Sequence, residues 1–142
     1  MPLINRSALV TYGPERMYAL VDDVPRYPEF LPWCAAAEVH WDDGRTQEAT
    51  LHVAKGPFRD SFRTRNTRVP GERIELALVD GPFRVLEGCW TFASLGEGSK
   101  ITLQLRFDFA NVVLARTLSP VFQNIADGLI DAFVARARAL YG

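Results

Sequence analysis

The stretch KITLQLRFDF, residues 100–109, decides how the rest of the chain is interpreted. Its apolar side chains recur at every second position, and polar or charged side chains occupy the positions between them. This period of two predicts a β-strand with one buried face and one solvated face. After Ala110 the apolar period becomes helical and stays helical to the end of the chain. A strand with one apolar face, followed by a long amphipathic helix, predicts a sheet that the helix covers.

The chain that precedes this stretch, from about residue 35, predicts an antiparallel meander. Turn-forming residues recur at short intervals, at residues 42–44, 56–57, 69–71, 80–82 and 96–98. Segments of strand length lie between them, and connections this short favour antiparallel pairing. The connection around residues 69–71 should hold three or five residues, because Phe62 and Leu76 must point to the same side of the sheet.

The N-terminal part predicts a strand, a short helix and an apolar loop. The strand is LINRSALVT, residues 3–11, and Pro14 suits the first turn of the helix that follows. The loop is RYPEFLPWC, residues 26–34, whose two prolines exclude a regular helix or a central strand. Its side chains are too apolar for a solvated loop, so we expect them to cover something apolar.

The C-terminal helix should be interrupted at Ser119 and Pro120. Either Ser119 caps a new helix with Pro120 at its first position, or one helix kinks there. The predicted fold class is α+β, with a curved antiparallel sheet of six to seven strands wrapped around a long C-terminal helix. A short helix follows the first strand, and we expect a single domain over residues 1–142.

Composition and motifs exclude several classes of function. The chain has 142 residues, 48% hydrophobic residues and a net charge of -1, so bulk charge does not attract it to DNA or to membranes. Its two cysteines make neither a disulfide framework nor a zinc site, and His40 and His52 lie twelve residues apart in different strands. No leader or membrane span is evident, so we expect a cytoplasmic protein with no catalytic or metal site and at most peripheral membrane contact.

A basic strip lies on one predicted strand. In FRDSFRTR, residues 58–65, Arg59, Arg63 and Arg65 share the face opposite Phe58 and Phe62. An ordinary solvated strand face explains this strip most simply. The functional alternative is contact with the phosphates of RNA or with an anionic lipid surface.

Four stretches, in order, resemble one protein family. They are YPEFLPWC (27–34), LVDGPFRVLEGCWTF (78–92), FDF (107–109) and VFQNIADGLIDAFVARA (121–137). Together with the order of elements they resemble the coenzyme Q-binding and ribosome-association-toxin (RatA) family, within the START-like, polyketide cyclase-like superfamily. The resemblance implies the helix-grip fold and two functions. Some members bind ubiquinone or a related isoprenoid lipid and support respiration, and bacterial toxins bind the large ribosomal subunit and block its association with the small one.

The cavity interpretation places the loop at residues 26–34 over an apolar space between the curved sheet and the last helix. The candidate cavity residues are Tyr27, Phe30, Leu31, Trp33, Phe62, Leu78, Phe83, Trp90, Phe107, Phe122 and Leu129. For any single one of them, plain filling of the core is the simpler explanation. Candidate hydrogen-bond donors to a quinone ring are Tyr27, Trp90 and Arg106.

We therefore predict non-catalytic binding of ubiquinone or a similar isoprenoid lipid, with no other cofactor. Apolar burial would supply the affinity, at about 0.8 kcal/mol for each buried methylene. The alternative is a toxin that binds the large ribosomal subunit through Arg59, Arg63 and Arg65 and prevents assembly of the whole ribosome. Because cyclases share this fold, an enzyme is the less favoured third interpretation.

Overall fold

The computed structural model describes residues 3–142, and over this range it contains a seven-stranded sheet, three α-helices and one 3₁₀ helix. The strands are β1 (Leu3–Val10), β2 (Cys34–Asp42), β3 (Thr46–Lys55), β4 (Phe58–Val69), β5 (Arg73–Asp80), β6 (Phe83–Leu95) and β7 (Gly98–Phe109). The helices are α1 (Pro14–Asp22), the 3₁₀ helix (Val24–Glu29), α2 (Val112–Asp127) and α3 (Leu129–Tyr141). No helix within the described range has both the length and the apolarity needed to cross a bilayer.

The sheet is antiparallel throughout, in the order β1-β7-β6-β5-β4-β3-β2. The meander from β2 to β7 is sequential, and β1 adds to its far edge beside β7. The C-terminal helices pack on the inner face, where α2 contacts β7 and β4 and α3 contacts β1 and β7. The predicted α+β helix-grip architecture is therefore confirmed.

The alternation of side chains on the sheet is confirmed in the strands where it was clearest. On β7, Ile101 and Phe107 are fully buried while Gln104 and Arg106 are exposed. The connection between β4 and β5 comprises residues 70–72, one of the two predicted lengths. Phe62 and Leu76 consequently face the same side.

The prediction that a new helix begins at Pro120 is wrong. Helix α2 runs continuously through Ser119 and Pro120, and the break lies at Gly128, between α2 and α3. A proline inside a helix removes one backbone hydrogen bond. Pro120 lies on the exposed side of α2, where the freed carbonyl can bond water, while Leu118 and Phe122 keep the opposite side buried.

An aromatic cluster fixes α2 on the sheet. The ring of Phe122 lies 4.7 Å from that of Phe107 and 5.0 Å from that of Phe83, measured between centroids. Phe58 and Phe109 complete the contacts around it. Packed aromatic rings of this kind contribute beyond their buried area, so this end of the molecule is filled rather than open.

Candidate functional site

A cavity of about 90 Å³ lies between the inner face of β3–β7 and the helices. Its walls are mainly apolar, and its roof is formed by α2, α3 and the segment that runs from the end of α1 to Trp33. The stretch quoted above as RYPEFLPWC contributes Tyr27 and Trp33 to these walls. The apolar loop therefore covers the space predicted from the sequence.

Six of the eleven candidate cavity residues line this space. They are Tyr27, Trp33, Phe62, Trp90, Phe122 and Leu129. They come from the loop, from β4 and β6, and from α2 and α3, so five separate segments meet around one cavity. Their placement is a structural finding, and their contact with a ligand stays a prediction.

The other five candidates do not line the cavity. Phe83 and Phe107 belong to the aromatic cluster around Phe122, and Leu78 packs at the edge of the core. Leu31 is buried beneath the loop, and Phe30 packs on Phe133 of α3. The period of two identifies the face of a strand, but it does not say how far along that face an empty space lies.

The three candidate hydrogen-bond donors lie in different surroundings. The Tyr27 hydroxyl already donates to the backbone carbonyl of Val21, and burial raises the pKa of this phenol well above its usual range. Arg106 points to the outer face of the sheet, where it pairs with Glu87 at 2.5 Å, so its placement in the cavity was wrong. Trp90 lines the cavity, with its ring packed against Phe133 at 5.3 Å.

The loop is held against α3 by one cluster of side chains. The Arg136 guanidinium lies 5.0 Å from the centre of the Phe30 ring and 2.8 Å from a carboxylate oxygen of Glu29. The Phe30 ring in turn meets Phe133 edge to face at 5.2 Å. Movement of α3 relative to the loop would have to break these contacts.

Sequence reasoning missed the polar end of the cavity. Gln47, Thr64 and Asn66 line it and are at most 9% exposed. The Thr64 hydroxyl donates to Asn66 Oδ1 at 2.7 Å, and Asn66 Nδ2 donates to Gln47 Oε1 at 3.0 Å. The signal was present, because Thr64 and Asn66 are in phase with the inward-facing Phe62 on β4.

Beside this polar end lies an ion cluster around a buried arginine. Arg68 is 5% exposed and its guanidinium pairs with Asp22, at 2.9 Å, and with Asp42. The hydrogen bond from Arg68 holds the pKa of Asp42 below its usual range, and the two carboxylates raise the pKa of Arg68. Asp22 also lines the cavity, so this cluster places net negative charge beside its polar end.

The basic strip lies on the outer face of β4, on the opposite side of the sheet from the cavity. Arg63 and Arg65 both pair with Glu48 of β3, at 2.9 and 2.7 Å. The bond from Arg65, reinforced by Arg63, holds the pKa of Glu48 below its usual range. One charge of the strip is therefore neutralised, while Arg59 is exposed and the Arg65 side chain remains 56% exposed.

Residues 10–134 match the model of the family described as polyketide cyclase / dehydrase and lipid transport. The chain belongs to this family. A protein of Pseudomonas aeruginosa named ribosome association toxin RatA is 49% identical over 98% of this chain and 97% of its own length. A mitochondrial protein of Xenopus laevis named coenzyme Q-binding protein COQ10 homolog B is 26% identical over 97% of this chain and 59% of its own length.

Solved structures of other proteins share the fold. A START superfamily protein from Mycobacterium smegmatis superposes with a TM-score of 0.81, at 20% identity, over 97% of this chain and 98% of its own. An aromatase/cyclase named Zhui from Streptomyces superposes with a TM-score of 0.80, at 14% identity, over 96% of this chain and 93% of its own. At such identities the likeness shows the fold alone, and one fold hosts unrelated functions.

Proposed function

We propose that this protein acts by binding rather than by catalysis, and that its target is the large ribosomal subunit. The observation that carries the proposal is the 49% identity, over nearly the full length of both chains, to the protein named ribosome association toxin RatA. The coenzyme Q-binding relative is much less similar, at 26%. We therefore rank ribosome association above the quinone binding that the sequence first favoured.

The outer face of β4 is the surface we assign to this contact. Arg59 and Arg65 present guanidinium groups to solvent there, and ribosomal RNA presents phosphates. Arg63 and Arg65 both also hold the buried carboxylate of Glu48, Arg65 through two hydrogen bonds. Replacing Arg65 therefore leaves Glu48 with Arg63 as its remaining ion partner, so the fold of any Arg65 variant is checked before its binding is measured.

Sedimentation with purified ribosomal subunits tests the proposal. The protein should sediment with the large subunit and not with the small one, and it should reduce formation of the whole ribosome. The double variant Arg59→Gln/Arg65→Gln should bind more weakly, and its affinity should depend less steeply on salt, by about one to two units of slope. The matched control Arg26→Gln removes a charge that lies on the loop instead. Absence of the protein from the large-subunit fraction at low salt would overturn the proposal.

A second candidate function is supported by the cavity, which is mainly apolar and only partly open. Its volume of about 90 Å³ is below the roughly 300 Å³ at which ordinary ligand pockets begin, so a long isoprenoid tail requires the loop and α3 to separate. A compact apolar group requires much less movement. We infer that the cavity holds a small apolar molecule or the apolar end of a larger one.

Native mass spectrometry tests the second candidate. The protein is purified without detergent from a respiring host, and anything bound is extracted into solvent and identified. A stoichiometric quinone or other apolar molecule is the expected result, and Leu129→Asp, which places a charge in the cavity wall, should abolish it. An empty protein that also refuses added ubiquinone would remove this candidate and leave ribosome association untouched.

A further inference from the structure

We propose that Gln47, Thr64 and Asn66 form a recognition end in the cavity, which selects a ligand with one neutral hydrogen-bonding group on an apolar body. That group is a carbonyl or a hydroxyl. This inference rests on the second candidate function, the binding of a small apolar molecule in the cavity. It adds the chemical class of the ligand and the residues that would distinguish it from other apolar molecules.

The three side chains are adjacent because of the register between two strands. Gln47 of β3 and Asn66 of β4 are direct cross-strand partners, and Thr64 lies two residues along β4 on the same face. All three line the cavity and are nearly inaccessible to bulk water. Burying polar groups in this way is unfavourable unless they are hydrogen-bonded, and they bond to one another in a single chain.

This hydrogen-bond chain leaves capacity for a ligand. An asparagine amide has two N–H donors and two acceptor lone pairs, and a threonine hydroxyl has one donor and two lone pairs. Asn66 uses one N–H on Gln47 and one acceptor position on Thr64, and Thr64 uses its only donor on Asn66. A ligand carbonyl can accept the second N–H of Asn66, and a ligand hydroxyl can donate to Thr64.

The charges next to this end select against an anionic group. Asp22 lines the cavity, and with Asp42 it surrounds the single guanidinium of Arg68, so two carboxylates face one positive charge. Gln47 of β3 and Asp42 of β2 are direct cross-strand partners, which brings the second carboxylate close to this end. A carboxylate or phosphate brought to Asn66 would lose a large hydration energy and approach net negative charge, whereas a neutral carbonyl or hydroxyl loses much less hydration energy and carries no charge to be repelled.

The opposite end of the cavity suits the apolar body of the ligand. Trp90 of β6 and Phe133 of α3 meet edge to face there, and Leu103 of β7 completes the wall. Apart from the Trp90 indole N–H, these side chains offer no hydrogen-bonding group, so a ligand hydroxyl placed among them would find no strong acceptor. The two ends together fix the direction in which a ligand lies.

Three probes of nearly equal size test the inference: toluene, phenol and benzoate. Their binding to the full chain is followed by NMR, through shifts of the Trp90 indole and of the methyl groups of Leu103. In a purely apolar cavity toluene binds better than phenol, because the phenol hydroxyl gives up its bonds to water. Here phenol should bind at least as tightly as toluene, and benzoate at least about tenfold more weakly than phenol.

Variants identify the residues responsible. Thr64→Val keeps the shape of the side chain and removes the hydroxyl, so phenol should bind about three- to tenfold more weakly while toluene is unchanged. Asn66→Leu should have an effect in the same direction. The control Thr102→Val makes the same chemical change on the outer face of β7 and should alter neither probe. Dispersed NMR spectra establish that each variant is folded before its affinities are compared.

The outcomes separate this inference from the function on which it rests. If toluene binds better than phenol to the unmodified protein, the recognition end is wrong and the apolar cavity function stands. If benzoate binds as well as phenol, selection for a neutral group is wrong. If none of the three probes binds, the cavity is closed to small molecules, and both the inference and the second candidate function fall.

Discussion

Arg68 Nη1 lies 2.9 Å from Asp22 Oδ1, and this ion pair joins β4 to the last residue of α1. The guanidinium also bonds Asp42 at the end of β2, so one side chain holds three elements together. The Arg68 side chain is 4% exposed, whereas those of Asp22 and Asp42 are 31% and 38% exposed. The positive charge is therefore enclosed, and both negative charges have access to water.

This asymmetry predicts unequal costs of substitution. Arg68→Met keeps most of the aliphatic stem and leaves two carboxylates that water can reach, so we expect a loss of about 1–2 kcal/mol in the free energy of unfolding. The double variant Asp22→Asn/Asp42→Asn leaves a buried guanidinium without a carboxylate, so we expect it to lose about 3–5 kcal/mol in the free energy of unfolding. Urea unfolding at pH 7 measures the loss of stability in each variant. The control is Arg73→Met, a substitution at an exposed arginine. Equal losses in the two variants would contradict the assignment of the buried charge to Arg68.

The same cluster predicts how stability depends on pH. The folded-state pKa of Asp42 lies below its unfolded value of about 3.9, chiefly because Arg68 donates hydrogen bonds to it. This contribution is complete above the unfolded pKa and is lost as the pH falls through the lower folded pKa. The free energy of unfolding of the unmodified protein should therefore decrease between about pH 5 and pH 2. Asp42→Asn should flatten that decrease, and an unchanged slope would show that Asp42 does not contribute.

Phe122 should be a major contributor to stability among the apolar side chains. It is 4% exposed and its ring contacts the aromatic side chains of β4, β6 and β7. Phe122→Ala should cost about 3–5 kcal/mol. Leu129→Ala, next to a space that already exists, should cost less than about 2 kcal/mol. Denaturant unfolding of the two variants gives the comparison, and a reversed order would contradict the packing described.

Gly98 is required by a close approach of two strands. A Cβ atom added there would lie 2.1 Å from the carbonyl oxygen of Val10 on β1. Gly98→Ala should therefore displace the end of β1 and destabilise the protein by about 2–3 kcal/mol. Gly96 in the same turn has a φ of 61° and open space around it, so Gly96→Ala should cost only about 1 kcal/mol. Thermal unfolding of the Gly98→Ala and Gly96→Ala variants compares their stabilities. Equal losses of stability would refute the steric explanation.

The contact between Arg136 and Phe30 should limit opening of the loop. Arg136→Met removes the cation–π interaction and the bond to Glu29 while preserving the apolar stem. The backbone N–H groups of Phe30 and Leu31, which donate to the Tyr27 carbonyl, should then exchange with deuterium several-fold faster. The control is Arg138→Met, which replaces another basic residue of the same helix. Unchanged exchange at Phe30 and Leu31 would mean that other contacts hold the loop closed.

Periodicity in the sequence predicted the order of elements and the buried faces of the sheet. Strands such as β7, with five alternating apolar residues, leave one pairing that buries them all, and the length of the β4–β5 connection follows from the same constraint. Pro120 misled because a proline on the exposed side of a helix removes one hydrogen bond without ending the helix, since water can bond the freed carbonyl. In the sequence, only the glycine itself indicated the helix break at Gly128.

The sequence by itself therefore determined the helix-grip architecture, the covering role of residues 26–34 and the family, since each depends on local patterns and their order. Only the tertiary structure decided which inward-facing side chains surround the cavity, and that Thr64, Asn66 and Gln47 form its polar end. It also decided that Arg68 is buried between two carboxylates and that Arg63 and Arg65 share the buried Glu48. The physical reason is that alternation specifies a side of the sheet, whereas cavities and ion pairs depend on strand register and on contacts between distant segments.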